Sequence, residues 1–171
     1  MPEKTAKPKI EDVIDHALTG SAQKNALDFV AFLRANKMSP RWASANSWAV
    51  SYRNQRICFI RVSGTAQYHH LEKGSWHINH VNYGNTNLIS YPDEWEQYIP
   101  DDQLKDMVWS HVRYCKKCYN CKGTKTIIIL GKQFDDVCHN WMFMKNPDVD
   151  TLNCAKKIVI MRRQAIANMG A

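Results

Sequence analysis

No run in this 171-residue chain approaches the ~20 apolar residues that a membrane-spanning helix requires. Its first twenty residues, MPEKTAKPKIEDVIDHALTG, also lack the continuous apolar core of a secretory leader. These two absences predict a soluble, cytoplasmic protein with no membrane contact. Missing as well are a GxxxxGK[ST] phosphate loop, a GxSxG nucleophile elbow, an HExxH zinc-protease helix and a GxGxxG dinucleotide turn, so an enzyme is not the default reading. The chain has no internal repeat and no low-complexity tract. Carboxylates are missing from one long stretch. Between Arg113 and Phe134 there are six basic residues and no acidic one, whereas Val62 to Val112 carries two basic residues against seven acidic ones. The overall charge of +7 is therefore unevenly spread along the chain.

The basic stretch holds the most conspicuous pattern, YCKKCYNCKG, in which Cys115, Cys118 and Cys121 stand three residues apart. Cys138 follows in DDVCHN. In a reducing compartment clustered thiols serve as metal ligands or catalytic groups more often than as disulfides. A C-x2-C turn points two thiolates at one ion, and further ligands from a second loop complete a tetrahedron. The spacing predicts a structural zinc site of Cys115, Cys118, Cys121 and Cys138, with His139 able to replace one cysteine. Neighbouring lysines offset the negative charge of such a site and favour thiolate formation. An iron-sulfur cluster is the nearest alternative, since three closely spaced cysteines and a remote fourth also ligate clusters. A thiol-redox pair at Cys118 and Cys121 fits less well, because that chemistry favours a strand-to-helix position in a βαβ unit. Cys58 and Cys154 read as small core residues.

Hydrophobic periodicity places the rest. Ile10, Val13, Ile14, Ala17 and Leu18 repeat at helical spacing and end at Gly20, and Ser21 is an expected N-cap for a second helix with Ala26, Phe29, Val30 and Leu33 on its apolar stripe. The period then changes to two. SWAVSYRNQRICFIRV predicts a hairpin turning near Asn54-Gln55, and GSWHINHV predicts a strand with Trp76, Ile78 and His80 on one face and His77 and Asn79 on the other. A helix is expected from about Pro100, with Leu104, Met107, Val108 and His111 inward. KTIIIL and HNWMFM read as strands, and Asn146-Pro147 as the N-cap and first residue of a last helix. The order α, α, β, β, β, α, β, β, α predicts one α+β domain over residues 1–171, with a mainly antiparallel sheet, flanking helices and a cysteine-rich metal knuckle at about 113–140.

The second helix, the WAVSYRNQRICFIRV hairpin and the GSWHINH strand together resemble small bacterial α+β domains of the frataxin-like, iron-chaperone-annotated type, and more distantly gyrase-inhibitor-like effector-binding domains. The resemblance covers roughly Ala22 to Val81, leaves the cysteine segment outside, and implies a sheet face that holds a small ligand or a partner. Trp48, Tyr52, Trp76 and His80 fall on alternating positions of adjacent expected strands, so they are the candidate ligand-binding residues; a purely structural core would also place tryptophans there. His77 and His80 point to opposite faces and cannot chelate one ion locally, so the histidines read as polar surface or pocket lining. The expected function is a non-enzymatic, zinc-stabilised domain that binds a small molecule or a protein. A nucleic-acid binder is the alternative, using the basic cysteine knuckle and a last helix carrying Lys156, Lys157, Arg162 and Arg163.

Overall fold

A computed structural model of the chain describes residues 7–62, 72–80, 102–116 and 124–168. Helix α1 (Ile10–Ala17) buries Ile10 and Ile14 on one stripe. Helix α2 (Gly20–Ala35) buries Ala26, Phe29, Val30 and Leu33, as its periodicity predicts. It begins before Ser21. Thr19 stands at the N-cap in an extended conformation, and Gly20 turns the chain at φ 61, a left-handed conformation that glycine adopts without steric cost.

Among the described residues seven strands follow, interrupted by one helix. β1 (Pro40–Ser44), β2 (Ser47–Tyr52) and β3 (Gln55–Val62) form an antiparallel meander, and β4 (Trp76–His80) pairs with β3. Arg53 and Asn54 turn β2 into β3 with φ of 45 and 63, the backbone that a tight hairpin turn of matching twist demands. Helix α3 (Asp102–Ser110) buries Leu104 and Val108, and leads into the three-residue β5 (Val112–Tyr114). His111, expected on the inner face of that helix, lies just past its end and bonds through Nδ1 to the Met107 carbonyl at 2.8 Å. β6 (Lys125–Ile129) turns through Leu130 and Gly131 into β7 (Lys132–Lys145), and helix α4 (Val149–Asn168) closes the chain. The architecture is α+β with an antiparallel sheet. Its strand order is β1-β2-β3-β4-β7-β5, and β6 pairs with the first part of β7.

The register assigns the faces. Trp48, Ile60, Ile78 and Met144 are cross-strand neighbours in one row, and Val50, Cys58 and Met142 lie in the row beside it. All seven are buried, beneath the helices. Phe29 of α2 meets Trp76 at 6.3 Å between ring centroids, and Arg163 of α4 lies 5.3 Å over the Tyr52 ring. α3 packs against β6 by a directed contact, since the Trp109 indole N–H donates to the Ile129 carbonyl at 2.8 Å and Lys132 covers the same indole.

The start of α4 corrects the expected cap. Asn146 adopts φ 42 and turns back toward β4, its Oδ1 accepting the Trp76 N–H at 2.8 Å while its own N–H donates to the Trp76 carbonyl. Asp148 caps the helix instead, accepting the Thr151 N–H at 2.8 Å, and this bond holds its carboxyl below the usual range. Asp148→Ala is therefore expected to cost about 1 kcal/mol in urea denaturation, whereas Asp148→Ser costs less than half of that. Equal losses in the two variants would place the helix start elsewhere.

Candidate functional site

Trp48 and Trp76, two of the four residues expected to hold a ligand, share a sheet side, and that side is the core. Trp48 is 1% exposed and Trp76 is not exposed at all. Tyr52 is half-buried near the hairpin turn, between Arg53 and Arg163. His80 pairs with Cys58 in the register, and its side chain lies outside the described residues. The sequence alternation puts Trp48 and Trp76 on one face, as the register does. It does not reveal that helices cover that face and bury both indoles, whose Nε1 groups have no hydrogen-bond partner among the described residues.

The opposite side of the same strands is built from different chemistry. One cross-strand row reads Ser47, Arg61, His77, Lys145, and the next reads Ala49, Phe59, Asn79, Phe143. Ser47, His77 and Asn79 are buried, an unusual density of polar side chains at the middle of a sheet. His77 stacks on Phe143 with centroids 4.5 Å apart, and Arg113 from β5 lies 5.5 Å over the same phenyl ring. Arg56 covers Phe59 at 4.7 Å. Lys145 pairs with Glu72 at 3.0 Å. Among the described residues neither ring nitrogen of His77 has a hydrogen-bond partner, and neither does Asn79 Oδ1. Burial pushes the His77 imidazole down to about 3, and Arg61, Arg113 and Lys145 lower it further in that order, so the ring is neutral at physiological pH.

The signal for this polar face was legible in WHINH, whose alternation sends His77 and Asn79 away from Trp76. What the pattern does not show is that Arg61 and Lys145 flank His77 on both sides. That arrangement depends on long-range register.

The cysteines divide into two kinds. Cys58 and Cys154 are buried, as their places in the sequence predict, and burial pushes both thiols up to about 12. Cys115 and Cys138 are half-buried and lie beside neighbouring strands: Tyr114 pairs with Val137, and the Cys115 N–H donates to the Asp136 carbonyl at 2.7 Å. Lys125 also pairs with Val137, on the other flank of β7. The described residues on either side of that segment, Cys115 and Lys125, therefore lie at the two flanks of β7. Cys118 and Cys121 lie outside the described residues, as does the His139 side chain. Among the described residues no group of three potential metal ligands comes together.

The cations named for a nucleic-acid surface on α4 are mostly engaged with the body. Lys156 bonds Asp28 at 2.6 Å, Arg163 covers Tyr52, and Arg162 acts on the buried Cys58 thiol. A separate cleft of about 360 Å³ lies at the hairpin end, where Lys37, Arg41 and Arg53 contribute to a polar lining. No described helix is long and apolar enough to cross a membrane. No family model, curated protein or solved structure matches the chain.

Proposed function

We propose that the chain is a binding domain whose small-molecule ligand is held on the side of the sheet opposite the helices, and that a zinc ion braces the β5–β7 end of that sheet. The observation that carries the ligand reading is the row through His77. Burying an imidazole and an amide oxygen without partners costs about 1 to 3 kcal/mol for each group, a cost that a ligand with matching polar groups removes. A sheet face that holds a ligand is also what the resemblance over residues 22–81 implies, transferred here from the Trp48 side to the His77 side.

The brace rests on connectivity. Cys138 follows the residue that both β5 and β6 pair with, and Cys115 sits next to Asp136. Cys118 is three peptide links beyond Cys115, and Cys121 three before Thr124, so each lies within a reach of ~11 Å from a described end of the same short segment. A half-buried thiol just past the end of β5, another on the adjacent β7 and two more on the intervening chain suit a tetrahedral thiolate site. The metal supplies charge neutralisation and a cross-link there, which is a structural role when all four positions are protein ligands.

Metal analysis with thiol counting tests the brace. Native protein is expected to carry about one zinc per chain and to be alkylated slowly at all six cysteines; a chelator should expose four to reaction while Cys58 and Cys154 stay protected. Brown protein containing iron and acid-labile sulfide would assign the same cysteines to a cluster. Rapid alkylation of Cys115 and Cys138 before any chelator is added would remove the metal altogether. Ligand binding is tested separately, by a thermal-shift screen of metabolites against wild type and His77→Gln. Hits that stabilise both proteins equally would place the ligand elsewhere.

A further inference from the structure

The cleft at the hairpin end of the sheet lies apart from the His77 face and has a chemistry of its own. We propose that it is a second binding site, which takes a phosphorylated sugar, with the phosphate set among Lys37, Arg41 and Arg53 and the hydroxylated body against Ser39, Ser51 and Asn54. None of these residues belongs to the face around His77, so the two assignments stand or fall separately.

The first support is the space and how the chain frames it. The cleft has a volume of about 360 Å³, at the lower end of the roughly 300 to 1,000 Å³ that small-molecule sites occupy. Lys37 stands just past α2 at φ 60, and Arg53 and Asn54 form the β2–β3 turn at φ 45 and 63. Ser39 and Arg41 flank the proline that opens β1. Cations from three separate places in the chain thus meet at one hollow.

The second support is charge without compensation. Among the described residues no carboxylate lines the cleft. The described ion pairs engage Arg34, Lys105, Lys145 and Lys156, none of which belongs to the lining. Arg53 is held in part, since its Nη1 donates to the Ala167 carbonyl at 3.1 Å. The Lys37 and Arg41 side chains make no hydrogen bond or ion pair among the described residues. A fourth cation adjoins them: Arg163 covers the Tyr52 ring, which lines the cleft, and donates to Asn36, the residue before Lys37, while its Nε is buried without a partner. Like charges gathered at one hollow repel, and a bound phosphate relieves that repulsion while its oxygens accept charge-assisted hydrogen bonds.

The third support concerns the body of the ligand. No Val, Leu, Ile or Met lines the cleft among the described residues, so an apolar body finds no wall there. The Ser39 and Ser51 hydroxyls and the Asn54 amide each donate and accept, which matches sugar hydroxyls. Tyr52, the one aromatic group in the described lining, already carries Arg53 at 5.6 Å and Arg163 at 5.3 Å from its ring centroid. That engagement favours a sugar phosphate over a stacked base, and hence over a nucleic-acid strand.

Isothermal titration of the full-length protein at physiological ionic strength tests the site. The probes are ribose 5-phosphate, glucose 6-phosphate, the two parent sugars, inorganic phosphate and a short single-stranded DNA. At least one sugar phosphate is expected to bind saturably, inorganic phosphate at least about tenfold more weakly, and the parent sugars not at all. Arg41 is exposed, so Arg41→Gln should leave the melting temperature unchanged while weakening the sugar phosphate by about tenfold or more, the loss of one charge-assisted contact. Lys24→Gln removes the same charge near the opposite end of α2 and should leave the affinity as it is.

Equal affinities in wild type and Arg41→Gln, or equal losses in Arg41→Gln and Lys24→Gln, would overturn the proposal, the latter by showing attraction to net charge alone. Inorganic phosphate binding as tightly as the sugar phosphates would mean an adventitious ion only. DNA binding more tightly than either sugar phosphate, and lost in Arg41→Gln, would give the cleft to nucleic acid instead. No binding of either sugar phosphate would also overturn the assignment.

Discussion

Trp76→Ala is expected to lower the free energy of unfolding by about 3 to 5 kcal/mol, the largest effect of any single substitution considered for this chain. The indole is not exposed at all, and its ring meets Phe29 of α2. The same residue is held at both main-chain groups by Asn146, the residue that leads from β7 toward α4. Truncation therefore opens a cavity where α2, β4 and the connection from β7 to α4 meet. Urea denaturation measures the loss directly. A change below about 1 kcal/mol with ligand binding abolished would return this indole to the role of a ligand wall, the alternative that its sequence position left open.

Stability is expected to fall as pH is lowered from 6.5 toward 3, with one proton's worth of slope arising at His77. The unfolded imidazole takes up its proton near 6.5, whereas the folded one resists until about 3, so in that window the unfolded state binds more protons. Above 6.5 the ring is neutral in both states and contributes no slope. Each pH unit within the window removes up to ~1.4 kcal/mol, and the whole span bounds the loss at a few kcal/mol. His77→Gln should flatten the profile in that range while keeping a buried polar side chain. An unchanged slope in the variant would show that another group takes up the proton.

The elements with long, regular periodicity were legible in the sequence: both N-terminal helices, the β2–β3 hairpin, the β4 alternation and α4. Short strands were not. Pro40 reads as the end of a helix, yet it also opens β1, because a proline at the first position of a strand loses no ladder bond that the strand needs. Three residues of β5 are too few to carry a period, and their pairing comes from β7. β7 itself was read only as HNWMFM. Its first half, KQFDDVC, carries two adjacent aspartates and a positive φ at Asp136, where the ladder with β6 slips by a residue. Such a slip is invisible to alternation, which assumes a constant register.

For the candidate site the limit was burial. Period two divides a strand into two faces but does not say which face receives the helices. Trp48 and Trp76 do share a face, and Phe29 and Arg163 of the helices lie on it. The cation set at His77 needed β3, β5 and β7 to be aligned, residues separated by up to 84 positions in the chain between Arg61 and Lys145.

The ends of the sheet bear on how the molecule meets its own copies at high concentration. An open strand edge offers unpaired main-chain groups on which a second chain can add, the first step toward aggregates. Among the described residues β1 presents only five residues at one end, opened by a proline without an N–H and carrying the exposed Arg41. The other end is β5, three residues long. On β6 the Ile129 carbonyl is already taken by the Trp109 indole, and Lys132 sits beside that contact. A neighbouring molecule thus finds short, charged or occupied edges, which disfavour the cross-molecular ladders that a seven-stranded sheet with a fourteen-residue strand would otherwise invite.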